Sequence, residues 1–293
     1  MSDIPKFVEI KEEGPREGFQ IEKNIIPTER KVAFIDALSA TGLKTIQIVS
    51  FVNPKRVPNM ADAEDVVAGI TLADGVDYTG LWLNPQGYER AKATGKLAIK
   101  PGINLCASEA FMQRNTNRTA AQALEGTHKA IENYKAEGLT LTTGGISAAF
   151  GCNFEGDISD EKMLTLAAQL FAIADEHDLS LSRFVLLDTM AWATPVRVKR
   201  ILGALRDKYP DIEFSLHLHN TRGMGIANAQ AGMEMGVAHF DACVGGLGGC
   251  PFAGHAGAAG NVCTEDLVFM CNEMGIETGL DLEALAECAR LAE

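Results

Sequence analysis

The sequence predicts an α/β protein of the (β/α)8 TIM-barrel class, built as a single catalytic domain over residues 1–293. Three observations carry that expectation. Strand-like runs alternate with segments of helical period eight times along the chain, and no linker-like stretch interrupts them. The length, 293 residues, suits one barrel of roughly 250 residues with modest insertions. A doubly wound open sheet is the competing architecture, but no G-x-G-x-x-G follows the first strand-like run.

The first unit opens with K-F-V-E-I-K-E (6–12), a strand-like run carrying apolar and β-branched residues. The helical stretch E-R-K-V-A-F-I-D-A-L-S-A-T-G follows, with Gly42 where a C-terminal stop belongs. T-I-Q-I-V-S-F-V (45–52) precedes a helix over about 61–71, and D-Y-T-G-L-W-L-N (77–84) precedes one over about 85–94. A-I-K-P-G-I-N-L-C-A-S (98–108) leads into a long helix from about Ala110 to Glu137. L-T-L-T-T-G-G-I-S-A-A-F (139–150) comes before a helix over 160–177. R-F-V-L-L-D-T (183–189) comes before one that opens at Thr194, a cap, with Pro195 at the first helical position. E-F-S-L-H-L-H-N (213–220) precedes a helix over 224–236. H-F-D-A-C-V-G-G-L (239–247) is followed by a glycine- and alanine-rich lid loop, about 247–262. A helix opened by Thr264, with Glu265 and Asp266 in its first turn, and a final helix over about 280–293 complete the chain.

Composition narrows the function classes. Hydrophobic residues make up 46% and charged residues 22%, which is ordinary for a globular chain and argues against disorder. A formal charge of −13 disfavours nucleic acid or an anionic membrane as partner, so an anionic substrate would need local Arg, Lys or metal. The seven cysteines are odd in number and contain no C-x-x-C, the pattern of reduced thiols in a cytoplasmic enzyme. No signal-peptide core or long apolar run is present, so a cytoplasmic location is expected.

Candidate functional residues gather where the strands end. Barrel active sites form at the C-terminal ends of the strands. His217 and His219 stand at the end of the seventh, two residues apart and therefore on one side of it. A lone histidine there would read best as a satisfied core residue; a pair followed by Asn220 points to a metal. Strand one ends in E-E-G-P-R-E-G-F-Q (12–20), placing Arg16 and Glu17 between Gly14 and Gly18. Alone this is an ordinary loop with solvated charges. Beside two imidazoles, Glu17 makes a divalent-cation site with open positions, and Arg16 adds a fixed charge suited to an oxyanion. The eighth strand runs into G-G-L-G-G-C-P-F-A-G-H-A-G-A-A-G-N, which carries Cys250, His255 and Asn261. Cys250 reads either as a small buried hydrophobe or as a proton-transfer group. Asp188, at the end of strand six, is structural or substrate-facing.

Taken together, these segments resemble the 3-hydroxy-3-methylglutaryl-CoA lyase family, within the wider group of metal-dependent lyases and Claisen-type synthases on TIM barrels. The resemblance runs in order through E-E-G-P-R-E-G-F-Q-I-E-K-N-I, S-F-V-N-P-K-R-V-P-N-M-A-D, F-G-C-N-F-E-G, L-H-L-H-N-T-R-G-M-G-I-A-N and G-L-G-G-C-P-F-A, then G-N-V-C-T-E-D-L-V, from about Phe7 to Leu285. It implies a Mg2+ or Mn2+ ion held by Glu17, His217, His219 and Asn261. It also implies a catalytic set of Arg16, His217, Asp188 and Cys250, with Cys250 as proton donor, and substrate contacts from Gln47 and Arg222. The implied reaction splits a 3-hydroxyacyl-CoA into acetyl-CoA and a keto acid. The partner is then an acyl-CoA substrate, with neither nucleic acid nor membrane, and the assembly a homodimer. Lys55, Arg56 and Arg222 are the basic candidates for CoA phosphates.

The chain departs from the family pattern around the same mouth. Glu17 stands where the family has Asp, and Gln47 stands where it has Glu, an amide that cannot act as a base. Asn220 and Arg222 replace an Asp and an aromatic residue, and the Cys250–Asn261 loop is two residues longer. These changes point to a shifted substrate or proton relay, such as citramalyl-CoA or a larger 3-substituted glutaryl-CoA, within one reaction class. A synthase running in the condensing direction and a non-catalytic CoA- or metal-binding barrel are the alternatives. A metal-dependent hydrolase is disfavoured, because its H-x-H lies typically on the first strand.

Overall fold

The computed structural model describes residues 4–249 and 259–292. Its strands are β1 (Glu9–Glu12), β2 (Thr45–Ser50), β3 (Asp77–Leu81), β4 (Ile103–Cys106), β5 (Thr143–Ser147), β6 (Gly151–Cys152), β7 (Gly156–Asp157), β8 (Arg183–Leu187), β9 (Glu213–His217) and β10 (His239–Ala242). They fall into two compact units, one containing Lys6–Ile99 with the C-terminal part of the chain from His239, the other Lys100–Ala238.

In the first unit the strand order is β3-β2-β1-β10, all parallel. The register sets Glu9 beside His239 and Lys11 beside Asp241. Strand alternation puts Ile10 and Glu12 on one face of β1 and Glu9, Lys11 and Glu13 on the other. Ile10, Ile46 and Ile48 are buried, as are Phe34, Ile35 and Leu38 of the helix Thr28–Ser39 and Leu267 and Val268 of Thr264–Glu273. Thr28–Ser39 packs against the helices Ala63–Gly69 and Leu282–Ala292.

In the second unit β9-β8-β5-β4 also run parallel. Their core is built from Ile103, Ile146, Phe184, Leu186, Phe214 and Leu216, with Leu170 of the helix Asp160–Glu176 and Leu202 of the helix Pro195–Lys208. Pro195 opens its helix as expected, but Thr194 makes no side-chain capping bond.

Three other expectations change. The helix anticipated from Ala110 to Glu137 is two helices, Glu109–Thr116 and Ala120–Ala136. Asn117 takes the left-handed conformation (φ 55°) and ends the first, while Thr119 and Gln122 form a reciprocal capping box that starts the second. The loop after β5 contains an added antiparallel hairpin, β6–β7. Thr264 is the first residue of its helix and not its cap: its hydroxyl donates to Glu12 Oε2 at 2.6 Å.

Candidate active site

The first unit assembles its half from the loops after β1 and β10. Glycines at 14 and 18 and Pro15 let the chain turn as one π-helical turn, Gly14–Gly18, in which the Glu17 amide donates to the Glu13 carbonyl at 2.8 Å. That turn folds Arg16 back over the end of the sheet, where its residue is 7% exposed. Its Nε donates to Gln47 Oε1, Nη2 to Glu13 Oε2, and Nη1 to Glu17 Oε1 at 2.5 Å. Burial would lower the arginine's pKa, but the Glu17 and Glu13 carboxylates hold it above its ordinary value. The other Glu13 oxygen accepts from Lys11 Nζ. Lys11 behaves alike: burial pulls its pKa down, and Glu13 and Asp241 raise it beyond the usual value.

The other Glu17 oxygen, Oε2, accepts from Asn261 Nδ2 at 2.6 Å, and the same amide donates to the Leu247 carbonyl at 3.1 Å. Gly248 makes this approach feasible. Its φ is +79°, and a Cβ there would lie 2.8 Å from Glu17 Cβ and 2.9 Å from Asn261 Nδ2. Beneath the turn, Glu12 is fully buried; its Oε1 accepts from the Gly14 and Val244 amides at 2.8 and 3.0 Å, and its Oε2 from Thr264. Burial pushes its pKa up to about 7 despite those donors.

The second unit supplies the imidazoles. His217 ends β9 and His219 follows two residues later, each 4% exposed, with rings 5.0 Å apart and nearly perpendicular. His219 Nδ1 lies 2.9 Å from the Asp188 carbonyl oxygen. A carbonyl only accepts, so Nδ1 carries the proton and Nε2 the lone pair. Asp188 itself is turned into its own loop: Oδ1 accepts from the Trp192 and Ala193 amides at 2.7 and 3.0 Å. Its Oδ2 is buried with no hydrogen-bond partner among the described residues. Burial raises the pKa to about 6, with His219 and His217 pulling the other way. Arg222 reaches back over this loop, its Nη1 donating to the Met190 and Ala191 carbonyls at 2.7 and 3.0 Å. Asn220 Oδ1 accepts from the Gly225 amide at 2.9 Å, at the start of the next helix.

Of the residues expected from sequence, Arg16, Glu17, Gln47 and Asn261 thus meet in the first unit, and His217, His219, Asp188 and Arg222 cluster in the second. Cys250 and His255 lie outside the described residues. Sequence reasoning missed Glu12, Glu13, Asn153 and Trp192. The doubled glutamate at the end of a strand was a signal for the first two. Nothing local marks the others.

A family model described as HMGL-like matches residues 7–292. The chain belongs to the HMGL-like family. Among curated relatives, the mitochondrial hydroxymethylglutaryl-CoA lyase of Mus musculus is 39% identical over 98% of this chain and 85% of its own length. The hydroxymethylglutaryl-CoA lyase of Bacillus subtilis is 38% identical over 99% and 93%. Among solved structures, the B. subtilis HMG-CoA lyase superposes with a TM-score of 0.88 at 38% identity, covering 98% of this chain and 93% of that one. An HMG-CoA lyase from Acinetobacter baumannii, in complex with coenzyme A and 3-methylmalate, gives 0.85 at 38% identity, covering 97% and 90%. The HMGL-like chain accordingly has the (β/α)8 TIM-barrel fold class expected from its sequence. No helix among its described residues is long and apolar enough to cross a membrane.

Proposed function

We propose that this chain is a divalent-cation-dependent carbon–carbon lyase, cleaving a 3-hydroxyacyl-CoA of the 3-hydroxy-3-methylglutaryl type into acetyl-CoA and a keto acid. The observation that carries the reading is the near-full-length relation to hydroxymethylglutaryl-CoA lyases, one of them solved with coenzyme A. The family resemblance supports a homodimer, and the odd, scattered cysteines without C-x-x-C support a cytoplasmic location.

Glu17, Asn261, His217 and His219 would hold Mg2+ or Mn2+. The donor set fits: a carboxylate, an amide and two imidazoles suit a hard-to-borderline cation. The Nδ1–H of His219, fixed on Asp188, leaves Nε2 as the ligating nitrogen, the outer support that metal-bound histidines typically have. When bound, the cation supplies acidification of the substrate hydroxyl and charge stabilisation on its oxygens.

The chain's own residues account for the rest. As a base takes the hydroxyl proton, the oxygen forms the C=O of the keto acid at C3, the C2–C3 bond breaks, and its electron pair passes into the enolate of acetyl-CoA. Arg16, locked by Gln47 and Glu13, presents a guanidinium to that developing oxyanion without reorganising. Gln47 acts on substrate through this hold on Arg16. Asp188 orients His219. Cys250 delivers the proton that turns the enolate into acetyl-CoA. The test is purified protein with Mg2+ or Mn2+ and 3-hydroxy-3-methylglutaryl-CoA, citramalyl-CoA and larger 3-substituted thioesters. Release of acetyl-CoA and a keto acid is expected; no release across the panel overturns the reading.

A further inference from the structure

The loops after β5, β8 and β9 build a second feature in the second unit. The indole of Trp192 is closely packed: a Cβ on Gly151 would come within 2.5 Å of the ring, and the Arg222 guanidinium lies over it, 5.4 Å from the ring centroid. Trp192 Nε1 donates to Asn153 Oδ1 at 2.8 Å, and Arg222 Nη2 reaches the same oxygen at 3.4 Å. Arg222 Nη1 is spent on the Met190 and Ala191 carbonyls, in a loop where Ala191 holds a left-handed φ of 56°. The guanidinium is therefore fixed by four neutral groups. No carboxylate pairs with it among the described residues, and the stretch 250–258 contains no Asp or Glu.

Every other strongly held arginine near this chemistry differs. Arg16 is paired with Glu13 and Glu17, and Arg197 with Asp157. On Arg222, which is exposed, Nε makes no hydrogen bond among the described residues, and with the far side of Nη2 it forms one edge of the guanidinium. That edge is the fork that takes a carboxylate through two parallel hydrogen bonds. The fork is tied to the imidazoles through one residue: Asp188 accepts the Trp192 amide on its carboxylate and the His219 ring on its carbonyl.

We propose that Arg222, seated on Trp192 and Asn153, is a subsite for an additional carboxylate, carried by the substituent on the hydroxylated carbon of the substrate. The inference rests on the lyase reading and narrows it: the preferred thioester bears a short anionic arm where 3-hydroxy-3-methylglutaryl-CoA has a methyl group.

The experiment compares 3-carboxymethyl-3-hydroxyglutaryl-CoA with 3-hydroxy-3-methylglutaryl-CoA in wild type, Arg222→Gln and Arg222→Lys. One charge-assisted bidentate contact at a partly exposed site predicts about tenfold or more in kcat/KM favouring the carboxymethyl thioester. Arg222→Gln erases that preference: kcat/KM falls about tenfold further for the carboxymethyl thioester than for the methyl one, since the lost fork acts most on the ligand that uses it. Arg222→Lys keeps charge but not the fork and falls between. Equal use of both thioesters by wild type, or an equal loss on both in Arg222→Gln, overturns the inference while leaving the lyase reading intact. Should neither thioester turn over, the lyase reading fails separately, and calorimetric binding of 3-oxopentanedioate against acetoacetate decides the subsite. Tighter binding of the dianion, lost in Arg222→Gln, supports it; equal binding overturns it. A thermal midpoint for each variant shows whether the loop remains folded.

Discussion

Replacing Glu13 with Gln tests how Arg16 is held. Glu13 is 2% exposed, and its two oxygens are divided between Lys11 and Arg16. The amide preserves volume but offers one acceptor and turns an NH2 group toward one of two cations. Breaking a buried ion pair from one side typically costs about 3–5 kcal/mol. The Lys11 side chain is 29% exposed and can shed part of its loss to water, so about 3 kcal/mol is expected here. With a urea slope of about 3 kcal/mol/M, the unfolding midpoint falls by about 1 M. The double variant Lys11→Met with Glu13→Gln removes one stranded cation and recovers part of that shift. Because Gln47 and Glu17 still hold two sides of Arg16, the guanidinium loosens without leaving. On the proposed reaction, kcat drops about tenfold with KM little changed, as expected for a misaimed oxyanion partner. An unfolding midpoint moved by less than about 0.3 M at unchanged slope would mean the pair is effectively solvated, and the argument would fail.

The remaining expectations concern other parts of the same loops. Glu12 carries a folded pKa of about 7 against an ordinary 4.5, because burial disfavours its charged form. Its contribution is thus fully present below about pH 4.5 and is lost as pH rises through 7, a few kcal/mol in all. Glu12→Gln should flatten stability over that window; identical pH slopes in urea titrations of the two proteins would contradict this. Gly248→Ala puts a Cβ 2.8 Å from Glu17 and forces a left-handed φ on alanine, so it should cost a few kcal/mol and most of the activity. An active variant of unchanged thermal midpoint would remove the close approach from the account. Adding Mn2+ to chelator-treated protein should raise the thermal midpoint through binding to the folded state alone, and Asn261→Ala or His219→Ala should abolish the rise. A rise surviving in both variants would place the ion elsewhere.

Much of this was legible from sequence wherever one local pattern carries one structural meaning. The alternation in T-I-Q-I-V-S and the apolar stripe of the helices fixed the order of the units, and glycines flanking Arg16 and Glu17 announced a sharp turn. H-x-H placed two imidazoles together, because residues two apart on a strand share a face. The break at Asn117 was legible too: N-R-T-A-A-Q (117–122) contains the Thr–x–x–Gln capping box, and helical periodicity masked it. The hairpin β6–β7 left no trace, since two-residue strands are too short to show a period. Glu13 and Trp192 were hidden for another reason. Which face the second of two adjacent glutamates takes depends on Arg16 folding back through a π turn. The partners of Trp192 come from loops 39 and 30 residues away in sequence, and no local pattern joins them.

The two arginines also explain how a chain of net charge −13 can receive a polyanionic thioester. Arg16 is surrounded by carboxylates, so its charge is largely cancelled until new negative charge appears beside it. On the proposed reaction it would discriminate little between bound substrates and act when the enolate forms. Arg222 sits on carbonyls, an amide and an indole, which fix the guanidinium without neutralising it. Its field is felt by a ligand before any bond breaks. Removing Arg16 should consequently depress kcat for every thioester alike, whereas removing Arg222 should change which thioester is preferred. If the two substitutions gave the same pattern across a substrate panel, this division between a rate-setting and a selecting cation would be wrong.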